Sequence, residues 1–382
     1  MEEHYGGNIG LEWMYPKALE VFDCDKQAFQ DTYAFVEGGD FVVWALLGRR
    51  LPLEQHLVRS SQQAAYKGCF IQGRSLISKQ SFKRIRPTMS NQDVVKLDLT
   101  RYSIKPPSAC AGMISIDSIQ IPLTVASIDA HACALGLGAY KKGRLVLVVG
   151  TSACFMISAE RPQTPLKGAA GFIPDGIVQG LHAYEFGQAA VGDTFAWISR
   201  FAGRAVDELE REAKQVLKGS SKELDCWAVD HLNGCRTPLM RGDMKGAIHG
   251  LTLTTSPAHV FLALMEAICF GIKVVLRMLT KSHVPVEDIV LAGGLASKSE
   301  LFPEILSTVL DRDVIVFDDG GEATSRGAAA YAQLMLDKKS DSSLFEPTRS
   351  RAVKPSKHVE SIVGSELRFA RYSDAALVRS FI

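Results

Sequence analysis

The chain has 382 residues, 47% of them hydrophobic and 22% charged, an ordinary globular composition that excludes a disordered, collagenous or coiled-coil protein. Its 43 Lys and Arg balance 42 Asp and Glu, so bulk charge gives no reason to expect nucleic acid or a membrane surface as partner. That length exceeds what one hydrophobic core usually supports and predicts two domains or one large α/β unit.

Cys24, Cys69, Cys110, Cys133, Cys154, Cys226, Cys235 and Cys269 are scattered, with no C-x-x-C pair and several inside apolar runs. That usage predicts reduced, buried thiols in a cytoplasmic protein, not a disulfide framework or a zinc site. The opening MEEHYGGNIG lacks the apolar core of a secretory signal. Residues 11–48 read as helical on Trp13, Leu19, Phe22, Phe35, Trp44 and Leu47, ending at Gly48 before Arg49-Arg50, because glycine tolerates left-handed dihedrals and cations suit a helix C-terminus. Residues 73–111 are basic, contain Pro87, Pro106 and Pro107, and show weak periodicity, which predicts mostly loop.

Leu123–Ile128 is an apolar run that ends in Asp129 and reads as a buried strand leading to it. Arg144–Val149 is strongly β-prone, meets Gly150-Thr151-Ser152 and resumes at Ala153–Ile157, two strands joined by a polar glycine turn. Ser256-Pro257 marks an N-cap and first helical position. Phe261, Leu264, Ile268, Ile272, Val275 and Leu279 then recur at helical spacing. This longest apolar stretch carries Glu266, Lys273 and Arg277, which a bilayer centre penalises, so it predicts a helix of a soluble core. A strand at Ile289–Ala292 runs into Gly293-Gly294, residues 299–310 are helical, Val314–Phe317 is a strand, and Glu322–Leu336 is an Ala-rich helix containing Gly327. This alternation predicts an α/β domain with ligands at the strand ends. Residues 338–360 are polar and predict an exposed segment, and the residues from 361 to 382 have no clear placement.

Four constellations carry candidate chemistry. Asp129, at the end of its apolar run, suits a general base held at a crevice, though the residues alone favour it as the cap of the following helix; His131 reads as a packed or hydrogen-bonded histidine. Gly150-Thr151-Ser152 offers backbone N–H groups and hydroxyls to phosphate oxygens, or simply turns a hairpin. Gly293-Gly294 allows a flat ligand or phosphate to approach a helix N-terminus, or makes a tight turn. Glu185 and Gln188 share a face if residues 183–193 form a helical turn, which orients a polyol or points into solvent; Lys67 has the same ambiguity. No G-x-x-x-x-G-K-[ST] and no full G-x-G-x-x-G occurs.

Taken in order, these segments resemble the FGGY family of carbohydrate kinases, and within it the ribulokinases. Gly246-Ala-Ile-His-Gly-Leu with His259-Val260, Ala263 and Met265-Glu266 resembles the family's C-terminal signature. Asp230-His-Leu-Asn-Gly-Cys-Arg-Thr-Pro-Leu resembles the loop before it, Val149-Gly-Thr-Ser-Ala-Cys the phosphate hairpin, and Ile289–Gly294 with Glu322–Ala330 the adenosine elements. The ribulokinase-like features are Glu12-Trp13-Met14-x-Pro16-Lys17, Gly39-Asp40-x-Val42-Val43-Trp44, Ile128-Asp-Ala-His and Tyr184-Glu-x-Gly-Gln-x-x-Val-Gly-Asp. The resemblance covers residues 10–70 and 110–335.

The resemblance implies an α/β, actin/hexokinase-like (ribonuclease H-like) two-domain kinase fold. It implies residues 1–139 as part of the sugar-binding domain, residues 140–337 as the nucleotide-binding domain and residues 338–382 as a tail. Asp129 then matches the catalytic base, Lys67, Asp129 and Glu185 the ketopentose site, Gly150, Thr151 and Ser152 the phosphate loop, and Gly293 and Gly294 the adenosine site. No residue is assigned as a metal ligand. The implied reaction is transfer of the γ-phosphoryl group of ATP, with Mg²⁺, to L-ribulose, as in arabinose catabolism. Alternatives are another FGGY kinase acting on D-ribulose, xylulose or glycerol, or a non-catalytic nucleotide- or sugar-binding remnant. The ligands are small molecules, without nucleic acid or membrane, and a homodimer is compatible. Family members open with an Asp-x-Gly-Thr phosphate loop and carry a Trp-x-Asp-His-Arg-like sugar segment, neither of which this sequence contains. The expectation is therefore an incomplete N-terminal domain and impaired turnover.

Overall fold

The computed structural model describes residues 2–5, 7, 9–71, 73–160, 166–318, 320–337 and 349–378. The helical region expected over 11–48 comprises helix α1 (Met14–Cys24), a short helix Lys26–Asp31 and helix α2 (Gly38–Leu46). Asp25 interrupts it, because its side chain accepts from the Ala28 N–H and starts a new helix. Gly48 ends the region as expected, at φ +92°, with the Arg49 N–H reaching back to the Trp44 carbonyl at 3.1 Å.

Strand β1 (Val58–Ser60) leads directly into helix α3 (Ser61–Gly68), whose side chains are mostly buried. The stretch 73–111 holds more structure than its weak periodicity predicts. Helices Lys79–Ile85 and Asn91–Val95 start at the N-caps Ser78 and Ser90, and strand β2 (Ser103–Lys105) pairs in parallel with β1. Elements this short are set by caps and pairing partners, so they leave no periodic signature. The N-terminal core gathers Trp13, Tyr15, Phe29, Tyr66, Phe70 and Phe82.

Strands β3 (Cys110–Ile116) and β4 (Ile119–Thr124) form a separate antiparallel hairpin. The buried strand expected to deliver Asp129 is absent: β4 stops at Thr124, its Ile119 is 64% exposed, and Asp129 instead opens helix α4 (Asp129–Gly136).

The C-terminal half is built on seven strands. They are β5 (Arg144–Val149), β6 (Ala153–Ala159), β7 (Gly171–Pro174), β8 (His182–Gln188), β9 (Asp288–Ala292), β10 (Val314–Phe317) and β11 (Ser350–Val353), in the spatial order β11–β10–β9–β5–β6–β8–β7. Strands β5, β9 and β10 are parallel, and the remaining neighbours are antiparallel. β5 is almost wholly buried, which is why it reads as an unbroken apolar run without alternation. Helices α5 (Gly192–Ala202), α6 (Val206–Gly219), α7 (Pro257–Lys281) and α8 (Leu301–Leu310) contribute to one large core with the sheet. Helix α7 starts in a Ser256–His259 capping box, as the Ser-Pro signal predicts. It is long and apolar enough to cross a bilayer, yet 78% of its apolar window is buried inside this protein.

Helix α4 lies in a second cluster with β5, β6, β9 and helix α9 (Ala323–Leu336). The α4–α9 crossing is close: a Cβ at Gly327 would run into the Ala132 carbonyl, and one at Gly136 into the Ala323 carbonyl. That approach accounts for the glycine inside an otherwise Ala-rich helix. Residues 338–348 and 379–382, part of the expected tail, lie outside the described residues. The remainder is integrated into the fold. β11 forms the exposed sheet edge, while Val359, Ile362 and Val363 are buried, and helix α10 (Glu366–Ser373) packs Phe369 and Tyr372 on Phe270 at ring separations of 5.3 and 5.4 Å.

Candidate active site

Helix α3 presents two neighbouring faces. Gln62 and Tyr66, four residues apart, turn into the protein, whereas Gln63 and Lys67 lie along the next face. The Tyr66 hydroxyl donates to the Ala183 carbonyl on β8 (3.1 Å), and its ring packs on that of His131 at 4.4 Å. These contacts carry Lys67 to the junction of β8 and α4. Lys67 is partly buried and makes no ion pair among the described residues.

His131, the third residue of α4, is enclosed, and neither ring nitrogen makes a hydrogen bond. Its Nε2 lies 3.7 Å from Glu185 Oε2. Burial lowers the imidazole pKa to about 4, against the upward pull of Glu185 and with help from Lys67. At neutral pH the ring is therefore uncharged.

Glu185 is 5% exposed and sits in the middle of β8. The helical turn expected to put it beside Gln188 is not formed. Strand pairing with β6 on one side and β7 on the other holds the segment extended, so residues three apart point to opposite faces. Glu185 faces His131, whereas the Gln188 amide donates to Asp230 Oδ2 (2.8 Å) and the Ile268 carbonyl (3.0 Å) on the α7 side.

Arg236, which sequence reasoning did not single out, completes the Glu185 environment. Its Nη2 donates to Glu185 Oε1 at 3.2 Å, and the same nitrogen lies 3.8 Å from Glu12 Oε1. The loop carrying it is stitched to β8 by two bonds, Thr237 N–H to the Gly187 carbonyl (3.0 Å) and Gly187 N–H to Thr237 Oγ1 (3.1 Å). The available signal was the arginine in Asn233-Gly-Cys-Arg236-Thr-Pro, whose partner is distant in sequence.

The β5–β6 turn forms as expected, closed by Gly150 N–H donating to the Ser152 carbonyl at 2.9 Å, with Thr151 and Ser152 exposed. The start of α5 backs it, as the Gly192 N–H donates to the Gly150 carbonyl at 3.0 Å. Cys154, two residues beyond Ser152, brings its Sγ to 3.9 Å from Glu185 Oε1; burial first, then the Glu185 charge, pushes its thiol pKa up to about 11. A cavity of about 360 Å³ opens here, lined by Gly10, Glu12, Ser152, Asn233, Arg236 and Met240. Gly293, at φ +99°, packs so closely on the Val149 carbonyl that no Cβ fits, while open space surrounds Gly294. The glycine pair therefore adjoins the base of the Gly150–Ser152 turn.

Asp129 is exposed at the first position of α4, where Ile128 holds the N-cap position, and its Oδ1 accepts from the Ala130 N–H at 2.7 Å. It is thus neither the end of a buried strand nor the cap residue. No side chain among the described residues pairs with it. Asp129 lies two residues before His131, whose ring packs on Tyr66, the neighbour of Lys67, and faces Glu185.

The depressed His131 pKa has a consequence for stability. An imidazole at 6.5 unfolded and about 4 folded contributes stability that is complete above pH 6.5 and lost as pH falls toward 4, up to roughly 3 kcal/mol. In urea melts between pH 7 and 4, the wild-type chain is expected to lose that much more stability than His131→Asn. Parallel pH profiles would show that His131 is not the group responsible.

A model of the C-terminal domain of the FGGY family of carbohydrate kinases matches residues 145–336. The chain is 30% identical to the ribulokinase of Anoxybacillus flavithermus over 368 residues, covering 91% of this chain and 63% of that protein. It is 31% identical to the ribulokinase of Halalkalibacterium halodurans over 350 residues, covering 86% of this chain and 60% of that protein. The chain thus spans somewhat less than two thirds of these curated relatives. In fold it is similar to a gluconate kinase from Lactobacillus acidophilus (TM-score 0.74, 16% identity, 100% of this chain and 75% of that one). It is likewise similar to a xylulose kinase from Rhodospirillum rubrum (TM-score 0.73, 16% identity, 98% and 73%).

Proposed function

Because the chain belongs to the FGGY family of carbohydrate kinases, we propose that it phosphorylates a ketopentose at the expense of ATP, with L-ribulose as substrate and L-ribulose 5-phosphate as product. The observation that carries this reading is the buried Glu185, held by Arg236 at 3.2 Å and lying 3.7 Å from His131, which sits on the helix that Asp129 opens and against the Tyr66 that precedes Lys67. Arg236 donates to Glu185 Oε1 and fixes the carboxylate in place, and its oxygens accept hydrogen bonds from sugar hydroxyls. Lys67, without an ion pair among the described residues, donates to sugar oxygens. Asp129 accepts the proton of the attacking hydroxyl. Its exposure leaves the carboxylate open to a ligand.

The residues also suit a nucleotide. The exposed Thr151 and Ser152 hydroxyls face solvent at the turn, and Gly294 leaves the open space that a ligand needs beside the sheet. Bound Mg²⁺ would supply charge neutralisation on the nucleotide phosphates. The eight unpaired thiols support a cytoplasmic location.

The test is coupled ADP release and titration calorimetry with L-ribulose, D-ribulose, xylulose and glycerol in the presence of Mg-ATP. L-ribulose is expected to give both the tightest binding and the fastest release. Glu185→Gln is expected to weaken L-ribulose binding about ten- to hundred-fold, the scale of a lost charged hydrogen bond, while ATP binding is unchanged. Equal binding of all four compounds, or none, would remove the ketopentose from the reading; sugar binding without ADP release would reduce it to a binding protein.

A further inference from the structure

We propose that Gln62 is a positioning residue that sets the turn carrying Asp129; the inference rests on the reading of Asp129 as proton acceptor. Gln62 is 1% exposed and uses its whole amide. Its Oε1 accepts twice from the residues just before Asp129, from Ser127 Oγ at 2.9 Å and from the Ile128 N–H at 3.1 Å. Its Nε2 donates twice to the other side, to the Gly176 carbonyl at 2.8 Å and to the Tyr331 hydroxyl at 2.8 Å. Tyr331 in turn donates to the Ile177 carbonyl at 2.8 Å. One buried side chain therefore ties α3, which carries Lys67, to the Asp129 turn, to the loop between β7 and β8, and to α9.

The chemistry explains why a glutamine occupies this position. A primary amide has two acceptor lone pairs and two donor hydrogens, and here the turn demands acceptors while a carbonyl and a hydroxyl demand donors. A carboxylate supplies no donor, a hydrocarbon supplies neither, and either leaves buried polar groups unmatched. Asp129 has no side-chain partner of its own among the described residues. Its aim is set by backbone, and Gln62 is the side chain that holds that backbone on its N-terminal side. A catalytic carboxylate displaced by about 1 Å loses on the order of a hundredfold in rate.

The experiment compares the full chain with Gln62→Leu and with the milder Ser127→Ala, which removes one of the two turn-side bonds. Hydrogen exchange reads the Ile128 amide directly, and steady-state kinetics with L-ribulose and Mg-ATP read the consequence. Gln62→Leu is expected to speed exchange at Ile128 at least about tenfold, the cost of one buried hydrogen bond. It should lower kcat about ten- to hundredfold with KM for ATP unchanged. Adding Asp129→Asn to Gln62→Leu should produce no further loss beyond Asp129→Asn alone, a non-additivity that general destabilisation does not give. Ser127→Ala, which keeps Gln62 in place, should show the same changes in smaller measure and covers the case in which Gln62→Leu does not fold. Unchanged exchange at Ile128, additive losses, or full kcat with fast exchange would each overturn the positioning role. A wild-type chain without L-ribulose-dependent turnover would instead sink the kinase reading, while the exchange result would still decide whether Gln62 holds the turn.

Discussion

Asp129→Asn is expected to cut sugar-dependent ADP release by about 10²–10⁴-fold, the range typical of a lost general base, while L-ribulose binding changes no more than about threefold, since Lys67 and Glu185 make the sugar contacts in the proposed site. The substitution keeps the shape of the side chain and its oxygen toward the Ala130 N–H, so α4 should start as before. Because Asp129 is exposed and makes no side-chain pair among the described residues, its replacement should barely move a urea midpoint. Kinetics, calorimetry and denaturation on the same preparation separate the three quantities. A rate within threefold of wild type would remove Asp129 from the chemistry, and a parallel loss of sugar affinity would reassign it to binding.

Arg368→Ala is expected to cost about 3–5 kcal/mol of folding stability, because it strands a carboxylate in the core. Arg368 and Glu266 are 0% and 1% exposed at their side chains. Arg368 Nε and Nη2 donate to the two oxygens of Glu266 at 2.7 and 2.5 Å, and the guanidinium also donates to the Leu224 and Cys226 carbonyls. The Gly364 N–H donates to Glu266 Oε1 at 2.6 Å. The pair thus fastens α10 to the central helix α7. Replacing both partners, Glu266→Leu with Arg368→Met, should recover a large part of the loss, since the desolvation of the pair offsets much of its attraction. Urea denaturation of the two single variants and the double variant tests this, and a loss below about 1 kcal/mol in Arg368→Ala would contradict it.

Helix α10 also reaches the loop that carries Arg236. The Tyr372 hydroxyl donates to Asp230 Oδ1 at 2.8 Å, and Gln188 holds the other oxygen of that carboxylate. Asp230 opens the loop that ends in Arg236 and thus in the Glu185 pair. Residues beyond the stretch matched by the family's C-terminal domain therefore support the loop on which the proposed sugar site leans.

Much of this protein was determined by local sequence. The β5–β6 turn, the capping box at Ser256, the strand before Gly293 and the Ala-rich α9 follow from β propensity, capping chemistry and helical period, all of which act within a few residues. The candidate roles of Asp129, Lys67 and Glu185 came from the family resemblance of the motifs around them, since on spacing alone each residue was ambiguous. Tertiary structure alone decided the rest. Whether Glu185 stands beside Gln188 or back to back with it depended on β6 and β7 pairing with its segment. Asp129 opened a helix, not a buried strand end, because the hairpin strand stopped at Thr124 and residues 125–128 formed no strand. Arg236, Gln62 and Arg368 acquired their roles from partners 51, 66 and 102 residues away. Hydrogen bonds and ion pairs act over a few ångströms of space whatever the length of chain between their partners, and that separation is what a linear pattern does not record.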